Sequence, residues 1–132
     1  MTRVAFDDES FEPPAPVLPV RVGGIEDHAP AAMLRMLVDT GADCTLIPAR
    51  VAKSLRLPIV DKVDIQGVAG KVQQASVHAA RVRVGALRAL IRVVALGDES
   101  LLGRDVLNRL ILTIDGPGQT IHAVPRPKRT RR

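Results

Sequence analysis

The sequence predicts one all-β domain with one or two short helices. The apolar share is 46%, drawn from Val, Leu, Ile and Ala, with two Phe and neither Tyr nor Trp. Branched aliphatic side chains of this kind fit the pleated surface of strands better than helices. Ten Gly and ten Pro punctuate the chain at short intervals, which cuts it into strand-length pieces. A length of 132 residues suits one core and is too short for two lobes with separate cores.

Residues 1–16 carry Asp7, Asp8, Glu9 and Glu12 and then PPAP. That composition is expected to bury little and to form a flexible, acidic and Pro-rich arm. The domain is expected over 17–125. VLPVRV (17–22) reads as a strand, Gly23-Gly24 as a turn, and MLRMLVD (33–39) as a strand running into DTGADCTLIP. After Pro48, Val51 and Leu55 fall on one side at helical spacing until Pro58 closes the segment, so a helix of about two turns is expected. Val60–Val68 and Lys71–Val84 alternate like two strands joined by the tip GVAG (67–70), a hairpin. ALRALIRVVAL (86–96) is a further strand. GRDVLNRL (103–110) spaces Val106, Leu107 and Leu110 for a second short helix, and ILTID (111–115), the turn GPG and QTIHAV (119–124) close the domain as a hairpin.

The net charge of +5 is not spread over the domain. Of the 19 Lys and Arg, five (Arg126, Lys128, Arg129, Arg131 and Arg132) lie in the terminal PRPKRTRR, leaving 14 cations against 14 Asp and Glu. The body is therefore neutral, and residues 126–132 are expected to be a disordered basic tail. A neutral body argues against a dedicated nucleic-acid binder, although the tail alone suits nonspecific contact with polyanions. No apolar run approaches the roughly 20 residues that span a bilayer, and the acidic start MTRVAFDDES is unlike a secretory signal, so the mature chain is expected to begin near Met1. The single cysteine, Cys44, cannot form an internal disulfide, and a soluble cytoplasmic protein is expected. Cys44 has no His near it in sequence and reads as a small buried side chain rather than a nucleophile. His28, His78 and His122 show no metal-ligand spacing, and no cofactor motif is present.

Two short motifs carry the chemistry. The apolar strand MLVD ends in Asp39-Thr40-Gly41-Ala42, and a second apolar segment ends in Leu101-Leu102-Gly103 before a helix starting at Arg104. Asp-Thr-Gly alone is a common turn with an Asx hydrogen bond; the second motif about 60 residues later makes the pair specific. Together they resemble the retropepsin family, the viral-type aspartic proteases and their bacterial and eukaryotic relatives. Its pattern is apolar-apolar-Asp-Thr-Gly-Ala and later apolar-apolar-Gly-Arg-Asp/Asn. The resemblance runs over roughly 17–124 and implies a single-lobe acid-protease fold, a closed β-barrel or sandwich that works as a homodimer.

The resemblance implies that Asp39 is catalytic, with Thr40 and Gly41 shaping its loop. A chain with one Asp-Thr-Gly holds half a site, so a two-fold homodimer is expected to bring two Asp39 carboxylates together. Two carboxylates a few ångströms apart share one proton, as is known for aspartic-protease dyads in general. One then serves as general base on water and the other as general acid to the scissile carbonyl. By the same resemblance Thr40 hydrogen-bonds across to the other chain's loop, and QTIHAV interleaves with the partner beneath the site; otherwise that segment is an ordinary edge strand. Asp43 and Arg104 fit an ion pair tying the active loop to the helix, or else two solvated charges. Gly67, Val68, Ala69 and Gly70 resemble a flap over bound peptide, or else form a plain surface hairpin.

Substrate contacts are expected from Ala42, Asp43, Ile65, Gly67, Val68, Ala69, Gly70 and Leu101, and the aliphatic Ile65, Val68 and Leu101 suggest apolar side chains beside the scissile bond. Ala42 lacks the hydroxyl common at this position in two-lobed relatives, which predicts activity in a mildly acidic rather than a strongly acidic range. The expected activity is endopeptidase cleavage without metal or covalent intermediate. A catalytically silent dimeric peptide-binding module on the same fold is the alternative, and the intact Asp-Thr-Gly-Ala argues against it.

Overall fold

The computed structural model describes residues 3–127 and is mostly strand. Among the described residues ten strands and two short α-helices follow one another. The first half comprises β1 (Val4–Ala5), β2 (Val17–Gly23), β3 (Ala31–Val38), β4 (Leu46–Ile47), α1 (Ala49–Ser54) and β5 (Ile59–Gln66). The second half comprises β6 (Val72–Val84), β7 (Leu87–Ala95), β8 (Leu101–Leu102), α2 (Arg104–Leu107), β9 (Leu110–Asp115) and β10 (Thr120–Pro125).

Alternation of side chains explains the main sheet. In β2, Leu18, Val20 and Val22 point inward and are fully buried while Pro19 and Arg21 face out, the period-two pattern of a strand with one wet face. The strand order is β2-β3-β8-β4-β7-β6-β5, with an additional pairing of β2 to β6 that closes the first six into a barrel. The length of β6 permits this: its first half pairs β5 and residues 81–83 pair β2. Leu18, Val20, Val22, Met36, Ile47, Val82, Val93, Leu102 and Val106 fill the interior with aliphatic volume, the dry, interdigitated core expected of such a composition.

Both helices are short, as the spacing predicts. Leu55 caps α1, Arg56 turns left-handed at φ 52° to end it, and Val51 and Ala52 face the core. The buried His78 is a structural residue of β6. One ring nitrogen lies 2.9 Å from the Leu57 carbonyl and the other 2.8 Å from Ser76 Oγ, which ties the strand to the segment after α1.

A second sheet has the order β1-β10-β9, and Ile121 and Ala123 of β10 join the barrel core. QTIHAV therefore lies between two strands, although β1 covers only its residues Thr120 and Ile121. Its neighbour on one side is β1, which falls inside the arm expected to be free. The arm packs on the domain: Val4 pairs Ile121, the Phe6 N–H donates to the Gln119 carbonyl at 2.8 Å, and Asp7 pairs Ala15 in an isolated bridge. Composition averaged over 1–16 conceals these contacts, because Val4 and Phe6 cover the core and Asp7 is itself buried. The Asp7 carboxylate accepts the N–H groups of Glu9 and Ser10, each at 3.0 Å, and faces Arg35 at 3.5 Å. Of the basic tail, Arg126 is exposed, while Lys128, Arg129, Arg131 and Arg132 lie outside the described residues. No helix among the described residues is long and apolar enough to cross a membrane.

Candidate active site

Asp39 follows the last residue of β3. It is held there because β8 lies alongside in parallel, with Leu37 opposite Leu101 and Val38 opposite Leu102. The ladder continues one step past the strand: the Asp39 N–H donates to the Leu102 carbonyl at 3.1 Å. The half-buried Asp39 carboxylate accepts the Gly41 N–H at 2.9 Å, and its carbonyl accepts the Ala42 N–H at 3.2 Å. Asp39 thus shapes its own loop while remaining open on one side. Gly41 does not take a left-handed backbone; an added Cβ would stand 3.2 Å from Asp39 Oδ1, close enough to push the carboxylate aside by a few tenths of an ångström.

The second motif clasps the first. The Arg104 N–H donates to the Ala42 carbonyl at 2.9 Å and its guanidinium to the Thr40 carbonyl at 2.8 Å. This corrects the expected Asp43–Arg104 ion pair: the guanidinium is taken by a main-chain acceptor, and no salt bridge joins the two residues among those described. Asp43 and Thr40 are exposed. A fork of donors suits this post, because it grips the loop backbone directly.

Two residues carry the junction that sequence reading left without a role, Thr45 and Asp105. Thr45 is fully buried. Its hydroxyl donates to Asp105 Oδ1 at 2.7 Å and accepts the Gly103 N–H at 3.1 Å, while its own N–H donates to Asp105 Oδ2 at 3.2 Å. A Cβ on Gly103 would drive into the Cys44 carbonyl, so only glycine lets the two segments approach this closely. The acid after Gly-Arg was visible as part of the second motif, but its partner lies 60 residues away in sequence.

Cys44 is half-buried, and burial first, then the Asp43 charge beside it, pushes its thiol up. A thiol held protonated is a poor nucleophile, in keeping with its reading as a packing residue. Among the described residues no cluster of His, Cys, Asp and Glu has a metal-binding arrangement.

The hairpin β5–β6 rises beside this junction. Cys44, Leu46, Val63 and Ile65 pack on a small cluster of Ala75, Val77 and Val94, so Ile65 is brought close to the active loop. Leu101, half-buried, sits between Leu37 and Leu46. The tip Gly67–Gly70 closes on itself, with the Gly67 N–H donating to the Lys71 carbonyl at 2.8 Å. Ala69 and Gly70 both take left-handed conformations, at φ 67° and 75°.

Comparison with known proteins agrees with this architecture. The EIAV protease complexed with the inhibitor HBY-793 superposes with a TM-score of 0.55 at 22% identity, covering 71% of this chain and 86% of that one. A retropepsin-like aspartic protease from Rickettsia conorii gives 0.60 at 20% identity, covering 92% of this chain and 89% of that one. No curated protein matches the sequence. The family model described as "gag-polyprotein putative aspartyl protease" matches residues 20–109, which contain Asp39-Thr40-Gly41 and Gly103-Arg104. That span is more than half of the chain, and the protein belongs to this family of retropepsin-like aspartic proteases.

Proposed function

We propose that the protein is an aspartic endopeptidase, active as a homodimer in which each chain contributes one Asp39. The observation that carries this reading is the setting of Asp39. A carboxylate stands half-exposed beyond a barrel strand, in a loop gripped from behind by Gly103, Arg104 and the Thr45–Asp105 pair. Preorganisation of this kind is what general acid–base chemistry requires. Each chain offers one such loop, so the second carboxylate comes from a symmetry mate.

In the reaction one Asp39 is ionised and the other protonated. The ionised member takes a proton from a water molecule, whose oxygen attacks the scissile carbonyl carbon. The protonated member gives its proton to the carbonyl oxygen, producing a neutral tetrahedral diol. Collapse of the diol breaks the C–N bond as a proton passes to the leaving nitrogen, yielding an acid and an amine. Thr40, exposed at the loop, is assigned to bridge to the partner's loop. The 67–70 tip is assigned as the flap that covers the substrate backbone and excludes water, with Ala42 and Asp43 along the peptide's path and Ile65 and Leu101 lining apolar subsites; the Val68 side chain, expected beside them, lies outside those described.

The β1-β10-β9 sheet is the assigned dimer element. Because β1 pairs only Thr120 and Ile121 of β10, the partner's copy of QTIHAV is expected to add alongside the remainder of that strand.

A mixed peptide library incubated with the wild type, with and without pepstatin, and with Asp39→Asn tests the reading. Cleavage confined to the uninhibited wild type is the expected result. Equal inactivity of wild type and variant in an intact dimer would leave a binding module.

A further inference from the structure

Far from Asp39, the barrel carries a cavity of about 540 Å³ lined by Arg21, Arg81, Arg83 and Arg88 together with His28 and Leu90. Ala31, at the start of β3, also lines it, and Asp39 lies eight residues further along, roughly 25 Å at strand rise. The cavity is therefore separate from the candidate active site.

The register makes this site unusual. Arg21 on β2 stands directly opposite Arg83 on β6, and Arg83 directly opposite Arg88 on β7. Directly opposed residues share a face, and all three are exposed. Like charges so placed repel one another across neighbouring strands. Arg81, two residues from Arg83 on the same strand, adds a fourth cation to the same face.

The chain answers only part of this charge. Arg81 donates to the Ile25 carbonyl at 2.7 Å and meets Asp27 at 3.9 Å, with the Asp27 side chain 93% exposed. Arg83 reaches only the Gly85 carbonyl, at 3.3 Å. The guanidiniums of Arg21 and Arg88 have no hydrogen-bond or ion-pair partner among the described residues. In a domain whose charges balance overall, four guanidiniums lining one concavity with so little internal compensation call for an external anion.

We infer that this concave face binds an acidic, partly apolar stretch of polypeptide from another protein. Three observations select a polypeptide. The anion already drawn to the site is a carboxylate, that of Asp27. Apolar side chains flank the cations on the same face, Leu90 beside Arg81 and Met33 opposite Arg21, each 62% exposed. The chain has no Tyr or Trp, and neither Phe lines the cavity, to stack a nucleobase. The Arg21-Arg83-Arg88 row crosses three strands, about 10 Å at strand spacing. Successive carboxylates on one face of an extended chain stand about 7 Å apart, so two of them fall within this span, within reach of the guanidinium forks. The inference does not depend on Asp39 being catalytic.

Fluorescence anisotropy of a short labelled peptide of alternating Glu and Val, titrated with the full chain, tests it. Binding is expected to weaken as salt rises and to fall by more than about tenfold in the double variant Arg21→Ala/Arg88→Ala. Circular dichroism confirms that this variant is folded. Asp39→Asn is expected to bind the peptide like the wild type. Equal affinity of wild type and double variant would overturn the inference. So would no saturable binding of the peptide, or tighter binding of inorganic pyrophosphate or a short oligonucleotide than of the peptide.

Discussion

Thr45 and Asp105 form the clamp that joins the Asp39 loop segment to the Gly103–Arg104 segment: the Thr45 hydroxyl donates to Asp105 at 2.7 Å while accepting the buried Gly103 N–H. Every member of this chain is satisfied, and no buried side-chain polar atom among those described lacks a partner. In the low-polarity interior such a network is stabilising only when complete.

Thr45→Val keeps the shape of the side chain and removes the hydroxyl. It leaves the Gly103 N–H without an acceptor in a buried position and takes a donor from Asp105. A loss of about 1–3 kcal/mol is expected, read by urea unfolding, with proteolytic activity falling further than stability because the Asp39 loop rests on this clamp. A variant as stable and active as the wild type would show that the clamp is incidental.

The different partners of Asp43 and Arg104 predict different outcomes for neighbouring charges. Asp43→Asn removes no ion pair, so stability should change by less than about 0.5 kcal/mol. Arg104→Lys retains the main-chain bond to Ala42 but loses the guanidinium donation to the Thr40 carbonyl. For this exposed group the stability cost should stay below about 1 kcal/mol, while kcat drops as the loop loosens. Thermal unfolding and steady-state kinetics on the same samples separate the two. A destabilised Asp43→Asn that is matched by Arg104→Lys would restore the ion pair.

Much of this arrangement was legible in the sequence. Asp39 and Gly103 each end an apolar strand at a turn, and strand endings of that kind survive as local patterns. The hairpin with its glycine-flanked tip was equally plain. The Arg104 partner was not, because a main-chain carbonyl is present at every residue and sequence does not mark which one will be gripped. Thr45 and Asp105 were invisible as a pair for a similar reason: only the pairing of β4 with β8, Leu46 opposite Leu101, brings their neighbouring segments together. The packing of the arm was not legible because its acidic average hides the apolar Val4 and Phe6, and nothing local marks the two-residue β1 that pairs the start of β10.

Asp7 supplies a pH dependence. Hydrogen bonds from the backbone, foremost that of Ser10, hold its carboxyl below the ordinary 3.8, and burial opposes them in part. A carboxyl depressed in the folded state adds stability that is fully present above the ordinary value and is lost as pH falls through the lower folded value. Asp7→Asn keeps an acceptor for Glu9 and Ser10 but cannot ionise. The stability gap between wild type and variant should be constant near neutrality and shrink as pH drops below about 4. Denaturant titrations at several pH values measure the gap, and one that widens on acidification contradicts the assignment.

Ala69 sits at the β5–β6 hairpin tip with φ 67°, a left-handed conformation that costs an L-residue about 1–2 kcal/mol. Glycine relieves that cost and enlarges the freedom of the unfolded chain by about 0.4–1 kcal/mol, so Ala69→Gly should leave global stability unchanged or slightly raised. Ala69→Val places a branched side chain in the same conformation, where it is worse tolerated. It should destabilise the tip locally and speed hydrogen exchange of the Gly67 N–H, which donates to the Lys71 carbonyl across the turn. Because the hairpin is assigned to close over substrate, Ala69→Val should also raise KM while sparing the core, visible as an unchanged Tm alongside faster exchange at Gly67. An Ala69→Val protein with slower exchange there would mean that the left-handed turn is not the conformation the tip adopts in solution.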